Sequence, residues 1–154
     1  MTLERAITLR GNGDVQRSRA LLEEMQEITP EDGRVSFHLA LTCIAGSDET
    51  TAIRLLARAV ELGLPASEEI EAVLAWTACL RTRKRYFEAA RVLRSALERH
   101  PDEAVLQAFL ALTMHTMGMH GEAAQMMVDV VVQTSGNRRV QDFATALRHY
   151  ADQL

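Results

Sequence analysis

The sequence contains little that would interrupt helices or build long loops, with only three prolines and eight glycines among 154 residues. Its 47% hydrophobic and 25% charged content is that of an ordinary globular protein. A chain of this length buries roughly 70% of the surface that its unfolded form exposes. We therefore expect one domain that folds without a metal ion or a disulfide.

Cysteines and long apolar runs are also scarce. Cys43 and Cys79 fall inside helical patterns, and no Cys-x-x-Cys pair is present, so both are interpreted as buried hydrophobic residues of a protein from a reducing compartment. The N-terminal segment lacks an apolar core of signal-peptide length. The longest apolar candidate, Val128 to Val132, is interrupted by Asp129 and is far shorter than the ~20 residues of a membrane span. These features predict a cytoplasmic protein that does not enter membranes.

Signs of catalysis are missing as well. The sequence has no glycine-rich phosphate loop, and no nucleophile stands beside a candidate base. The segment from Met114 to His120 contains sulfur and imidazole groups that transition metals bind. However, His115 and His120 are not four residues apart, the spacing that places two ligands on one helical turn. We therefore predict neither a catalytic residue, a metal site nor a cofactor.

Basic residues are concentrated between positions 81 and 100, which hold seven basic and two acidic side chains in a chain of net charge -4. Arg81, Arg83, Lys84 and Arg85 form most of this island. A nucleic-acid surface would be larger and would include stacking aromatic residues. We predict no nucleic-acid partner, and interpret the island as a solvated turn that pairs with acidic neighbours or with another subunit.

The residues that are present form apolar stripes of helical spacing throughout, and these predict an all-α fold of helical hairpins. Gly13 and Gly118 fit the turns of the first and last hairpins, while Ser47 and Lys84 replace glycine in the other two. The second helices align as four sets: Ser18, Leu22, Met25 and Pro30; Ala52, Leu56, Ala59 and Leu64; Ala89, Leu93, Ala96 and Pro101; Ala123, Met127, Val130 and Ser135.

This pattern resembles the tetratricopeptide repeat, in which small residues lie where paired helices cross and a large apolar residue lies between them. The resemblance implies a right-handed superhelix of four repeats, at about 1–30, 33–66, 70–101 and 104–135, and a capping helix at about 138–152. The chain also resembles a small bacterial family of such proteins, in the segments Leu3 to Leu22, Ala59 to Gly63, Arg85 to Ala96 and Phe109 to Leu112. No enzymatic activity is implied.

The resemblance further implies a concave surface, formed by the first helix of each repeat, that binds segments of other proteins. The lysines and asparagines with which some family members hold a terminal carboxylate are absent, and the aligned positions are apolar. We predict binding of an apolar or amphipathic peptide or helix; the alternative is a homodimer whose groove or C-terminal helix is buried by its own copy. The predicted contact set is Phe37, Leu41, Leu74, Ala78, Leu112 and His115, with Arg81 as a polar anchor.

Overall fold

The computed structural model describes all 154 residues, and each regular element in it is an α-helix. The all-α prediction is therefore confirmed, and no helix is long and apolar enough to cross a membrane. The helices are α1 (Leu3–Gly11), α2 (Val15–Ile28), α3 (Gly33–Ala45), α4 (Glu49–Leu62), α5 (Ala66–Thr82), α6 (Tyr86–Arg99), α7 (Ala104–Thr116), α8 (His120–Thr134), α9 (Arg138–Asp142) and α10 (Ala144–Ala151).

Residues 1–80 form one compact unit. In it α1 packs on α2, α2 on α3 and α3 on α4, and α1 also contacts α3. Its core contains alanines that expose none of their surface, including Ala6, Ala52 and Ala59, beside the large side chains of Leu22 and Leu56. Because an alanine side chain is short, the helix backbones approach closely at these points.

Residues 81–154 form the second compact unit. Here α6 packs on α7, α7 on α8, and α8 on α10. The residues at the aligned positions of α6 and of α4 in the first unit are completely buried: Ala89, Leu93 and Ala96 on α6, and Ala52, Leu56 and Ala59 on α4. In α4 and α6 the small and large positions of the repeat pattern therefore have the packing roles that the sequence predicts for them.

Four residues with positive φ mark the hairpin turns: Gly13 (85°), Ser47 (63°), Lys84 (58°) and Gly118 (85°). They follow one another at intervals of 34, 37 and 34 residues, which is the repeat spacing predicted from the sequence. A left-handed conformation costs a non-glycine residue roughly 1–2 kcal/mol. Ser47 and Lys84 adopt it because each hairpin requires the same reversal between its two helices.

The final segment differs from the single capping helix predicted at about 138–152. It forms two helices, α9 and α10, with a break at Phe143, whose φ and ψ are -103° and 10°. The Gln141 side chain in α9 donates hydrogen bonds to the carbonyl oxygens of Val132 (2.7 Å) and Ser135 (2.9 Å) at the end of α8. These bonds satisfy carbonyl oxygens that the end of α8 leaves free. After the break, α10 packs on α8, and Ala151 is buried.

Candidate peptide-binding surface

The predicted contact residues of the first unit differ widely in exposure. Phe37 exposes only 1% of its surface, since α3 is packed against α1, α2 and α4. Phe37 therefore belongs to the core, and it is removed from the predicted set of accessible contact residues. Leu41 and Leu74 are half-buried, and Ala78 is exposed. Leu41 also packs against the core of its unit, so only part of its side chain faces solvent.

Arg81 is half-buried and its guanidinium is already engaged. Its Nη1 donates a 2.8 Å hydrogen bond to Oγ1 of Thr113 on α7, and that hydroxyl in turn donates to the carbonyl oxygen of Phe109 (2.8 Å). Arg81 forms no salt bridge with a carboxylate. The residue predicted as a polar anchor is thus held by a hydrogen bond to α7.

The first unit repeats this arrangement at the same sequence interval. Nη1 of Arg10 donates to Oγ1 of Thr42 (3.3 Å), 32 residues further along, and to the carbonyl oxygen of His38 (3.0 Å). The interval between Arg81 and Thr113 is also 32 residues. Burial lowers the pKa of Arg10. Both arginine–threonine hydrogen bonds thus join residues 32 positions apart, and the apolar spacing of the sequence does not predict them.

His38 is a half-buried histidine whose Nδ1 atom is buried without a hydrogen-bond partner. Burial, together with the positive charge of Arg10, lowers its pKa to about 4. The imidazole is therefore neutral at pH 7. Since no nucleophile or acid is bonded to it, we assign it no chemical role.

Leu112 and His115 lie on an exposed, partly apolar surface of the second unit. Leu112 exposes 49% of its surface on α7, and Met127 exposes 37% on α8. Met127 occupies the repeat position of Leu93, which is completely buried. The fourth hairpin therefore exposes the side chain at a position that is buried in the third hairpin. Between α7 and α8 lies a depression of about 310 Å³, lined by Ala111, Leu112, His115, His120, Ala123, Ala124 and Met127. We call it the α7–α8 depression.

His115 and His120 meet at this depression, with their Nδ1 atoms 2.8 Å apart and their ring centroids 4.4 Å apart. Their spacing of five residues does not place them on one helical turn, which is why the sequence predicts no metal site there. However, α7 ends at Thr116 and α8 begins at His120, so the chain reverses between them at Gly118, whose φ is 85°. The two rings therefore face each other across the hairpin rather than along one helix.

The remaining candidate groups are the basic island, the two cysteines and the potential metal ligands. In the basic island, Arg85 pairs with Glu88 of the same helix at 2.6 Å. Both cysteines are free thiols and buried, as predicted, and burial raises the pKa of Cys43. No group of three or more histidine, cysteine, aspartate or glutamate side chains is arranged to hold a metal ion.

Comparison with known protein families identifies the architecture. Residues 33–154 match the tetratricopeptide repeat family described as "Tetratrico peptide repeat", TPR_5. This chain belongs to the tetratricopeptide repeat family. The match covers most of the sequence and includes both helices of the α7–α8 depression. Tetratricopeptide repeats are protein-interaction modules whose stacked hairpins present surfaces to other proteins, whereas no curated protein matches the chain closely enough to indicate a more specific role.

Two solved structures share the fold. MamA superimposes with a TM-score of 0.75 at 19% identity, over 99% of this chain and 90% of its own. YrrB, described as a tetratricopeptide repeat protein with an unusual peptide-binding site, superimposes with a TM-score of 0.70 at 15% identity, over 94% of this chain and 73% of its own. At these identities the likeness shows the tetratricopeptide fold and no more.

Proposed function

We propose that this tetratricopeptide repeat protein is a non-catalytic scaffold that binds an apolar or amphipathic helix or peptide of a partner protein. The observation that carries the proposal is the α7–α8 depression, where Leu112 and Met127 are exposed beside three alanines. Apolar side chains that are open to solvent gain free energy when a partner covers them, by roughly 25 cal/mol for each Å² removed from water.

The depression suits an apolar side chain better than a charged chain end. Its walls are alanine, leucine and methionine, and the two imidazoles are its polar groups. An amphipathic helix places one or two large side chains into such a surface and keeps its polar face in water. Met127 in the lining of the depression favours binding of such a helix, because the flexible side chain of methionine adapts to partners of different shape.

The proposed contact set keeps Leu112 and His115 as its centre in the second unit and Arg81 as a polar residue on the same unit. On the first unit, we propose that the exposed parts of Leu41, Leu74 and Ala78 bind apolar side chains of the partner. We propose no enzymatic activity, nucleic-acid partner, membrane partner or cofactor. We also propose that the protein is located in the cytoplasm.

Replacing Leu112 with aspartate should abolish capture of the partner, because the new carboxylate would have to be desolvated against an apolar side chain. The measurement is affinity capture from extract of the source cells, with wild-type protein and Leu112→Asp as baits. A second bait, Leu41→Asp combined with Leu112→Asp, tests whether the first unit contributes.

Phe87→Asp is the matched control, because Phe87 exposes 79% of its surface on α6 and does not line the depression. It introduces the same charge without touching the proposed surface, so its captured proteins should match those of the wild type. Circular dichroism must show the same helix content for each bait. If Leu112→Asp captures the same proteins as the wild type, the proposed binding surface is wrong.

Self-association is a second candidate function, favoured by the exposed aromatic and aliphatic side chains of the last helices. Phe143 exposes 64% of its surface, Tyr150 68% and Leu147 37%. A homodimer would bury them, and we expect Leu147→Asp to raise the dissociation constant of such a dimer at least tenfold, about 1.4 kcal/mol. Analytical ultracentrifugation over a dilution series measures this; a wild-type protein that stays monomeric at all concentrations would exclude it.

A further inference from the structure

The hydrogen-bonded imidazoles of His115 and His120 lie on the wall of the α7–α8 depression, and we propose that they bind an acidic side chain of the partner. The inference rests on the proposed function and deepens it. The partner segment would carry an apolar side chain that enters the depression and an aspartate or glutamate that reaches the histidine pair. Neither the family match nor the two similar structures assign such a role to these residues.

The hydrogen bond within the pair determines what it offers to a ligand. Since the Nδ1 atoms are 2.8 Å apart, one ring donates a proton and the other accepts it. A neutral imidazole that accepts at Nδ1 carries its own proton on Nε2. The pair therefore presents at least one outward N–H donor, and both rings are exposed to solvent.

The charges around the pair leave this donor available to a ligand. Helix α7 contains no acidic residue, so none of its side chains competes for the imidazole N–H. On α8, Asp129 is paired with Arg148 at 2.9 Å. Glu122, the other acidic residue of α8, is two positions from His120 and does not line the depression; residues two apart on a helix do not face each other. Arg81, which donates to Thr113 on α7, adds a positive charge that forms no ion pair within 4 Å. An acidic group is thus the complement of this surface.

A helical segment matches both features at once. Residues four apart lie on the same face of a helix, one turn from each other. An apolar residue and a glutamate at this spacing can therefore contact the depression and the imidazoles of its wall together. We infer that the partner's segment is an amphipathic helix with an acidic residue one turn from its apolar anchor.

The test uses capped alanine-based peptides of about 16 residues, long enough to be helical by themselves. One contains a leucine followed four positions later by glutamate, and a second has glutamine in place of the glutamate. Dissociation constants are measured by NMR titration of the labelled protein, following the signals of Leu112, Met127 and both imidazoles. We expect the glutamate peptide to bind roughly three- to tenfold more tightly, the effect of about one charge-assisted hydrogen bond at an exposed site.

The protein variant that should remove this preference is His115→Phe combined with His120→Phe, because phenylalanine keeps an aromatic ring but has no N–H donor. His149→Phe is the control, since His149 is an exposed histidine bonded to Gln153 and lies outside the depression. It should leave the preference unchanged. A third peptide, with glutamine and a free C-terminal carboxylate, distinguishes an acidic side chain from a chain end.

The outcomes separate this inference from the proposed function. Equal affinities for the glutamate and glutamine peptides would overturn the inference while supporting an apolar binding surface. A gain confined to the peptide with the free C-terminus would overturn it as well, as would a preference that survives in the double phenylalanine variant. If no peptide binds, the inference is wrong, and the proposed function is then decided by the capture experiment with Leu112→Asp.

Discussion

Replacing Gly33 with alanine should lower the free energy of unfolding by about 1–3 kcal/mol, the usual cost of forcing an extra methyl group into a packed interior. Gly33 is the buried first residue of α3. A Cβ atom at this position would lie 2.5 Å from the carbonyl oxygen of Gly63 and 3.1 Å from that of Ala59. Both obstacles are backbone atoms at the end of α4, so neither can move aside without displacing the helix.

This loss of stability is opposite in sign to the change that helix propensity alone predicts when alanine replaces glycine. Alanine normally stabilises a helix relative to glycine, by about 0.4–1 kcal/mol where the backbone and the space allow it. At Gly33 the steric clash exceeds this gain. The measurement is urea denaturation followed by circular dichroism, or the thermal midpoint, which shifts by about 2–4 °C for each kcal/mol in a protein of this size.

Gly11→Ala is the matched control, because Gly11 also lies at the end of a helix and a Cβ atom added to it would have no other atom within 4 Å. This variant should be as stable as the wild type or slightly more stable. A Gly33→Ala variant that matches or exceeds the wild-type stability would show that α3 and α4 are not as close as the structure places them.

Replacing Leu93 with alanine should destabilise the protein by about 2–5 kcal/mol, the range measured when a fully buried leucine is truncated. Leu93 exposes none of its surface and lies between the buried alanines Ala89 and Ala96 on α6. The loss has two parts: the transfer free energy of the removed carbons and the cavity that they leave. Because alanines already bring the helix backbones close, little further collapse can fill that cavity.

Phe87→Ala on the same helix is the control. Phe87 is larger than Leu93 but exposes 79% of its surface, so its truncation should change stability by no more than about 0.5 kcal/mol. Urea denaturation of both variants provides the comparison. Similar losses for Phe87→Ala and Leu93→Ala would contradict the assignment of Leu93 as the packing residue of the third repeat.

Local features of the sequence predicted most of the fold. The hairpins follow from short-range rules: apolar residues repeat at helical spacing, and turns occur where a glycine, or a residue in its place, adopts a positive φ. Ser47 and Lys84 could be assigned to turns only because the repeat interval placed them in register with Gly13 and Gly118. The packing roles of Ala89 and Leu93 were likewise predictable, since the same small and large positions recur in successive repeats.

The candidate site was less predictable, because exposure depends on neighbouring helices rather than on a residue's own helix. Phe37 and Leu112 both belong to the stripe expected to line a groove, yet Phe37 exposes 1% of its surface and Leu112 exposes 49%. Met127 occupies a core position of the repeat, yet is exposed. No property of these residues alone distinguishes a buried position from an exposed one.

The sequence by itself determined the tetratricopeptide architecture, because each repeat carries its own helix-forming stripe, its turn and its small packing residues. Only the tertiary structure decided which surface is open and which groups meet there. His115 and His120 belong to different helices, and Arg81 and Thr113 are 32 residues apart. Such contacts depend on how hairpins pack together in three dimensions, and a helical period read along one segment carries no information about them.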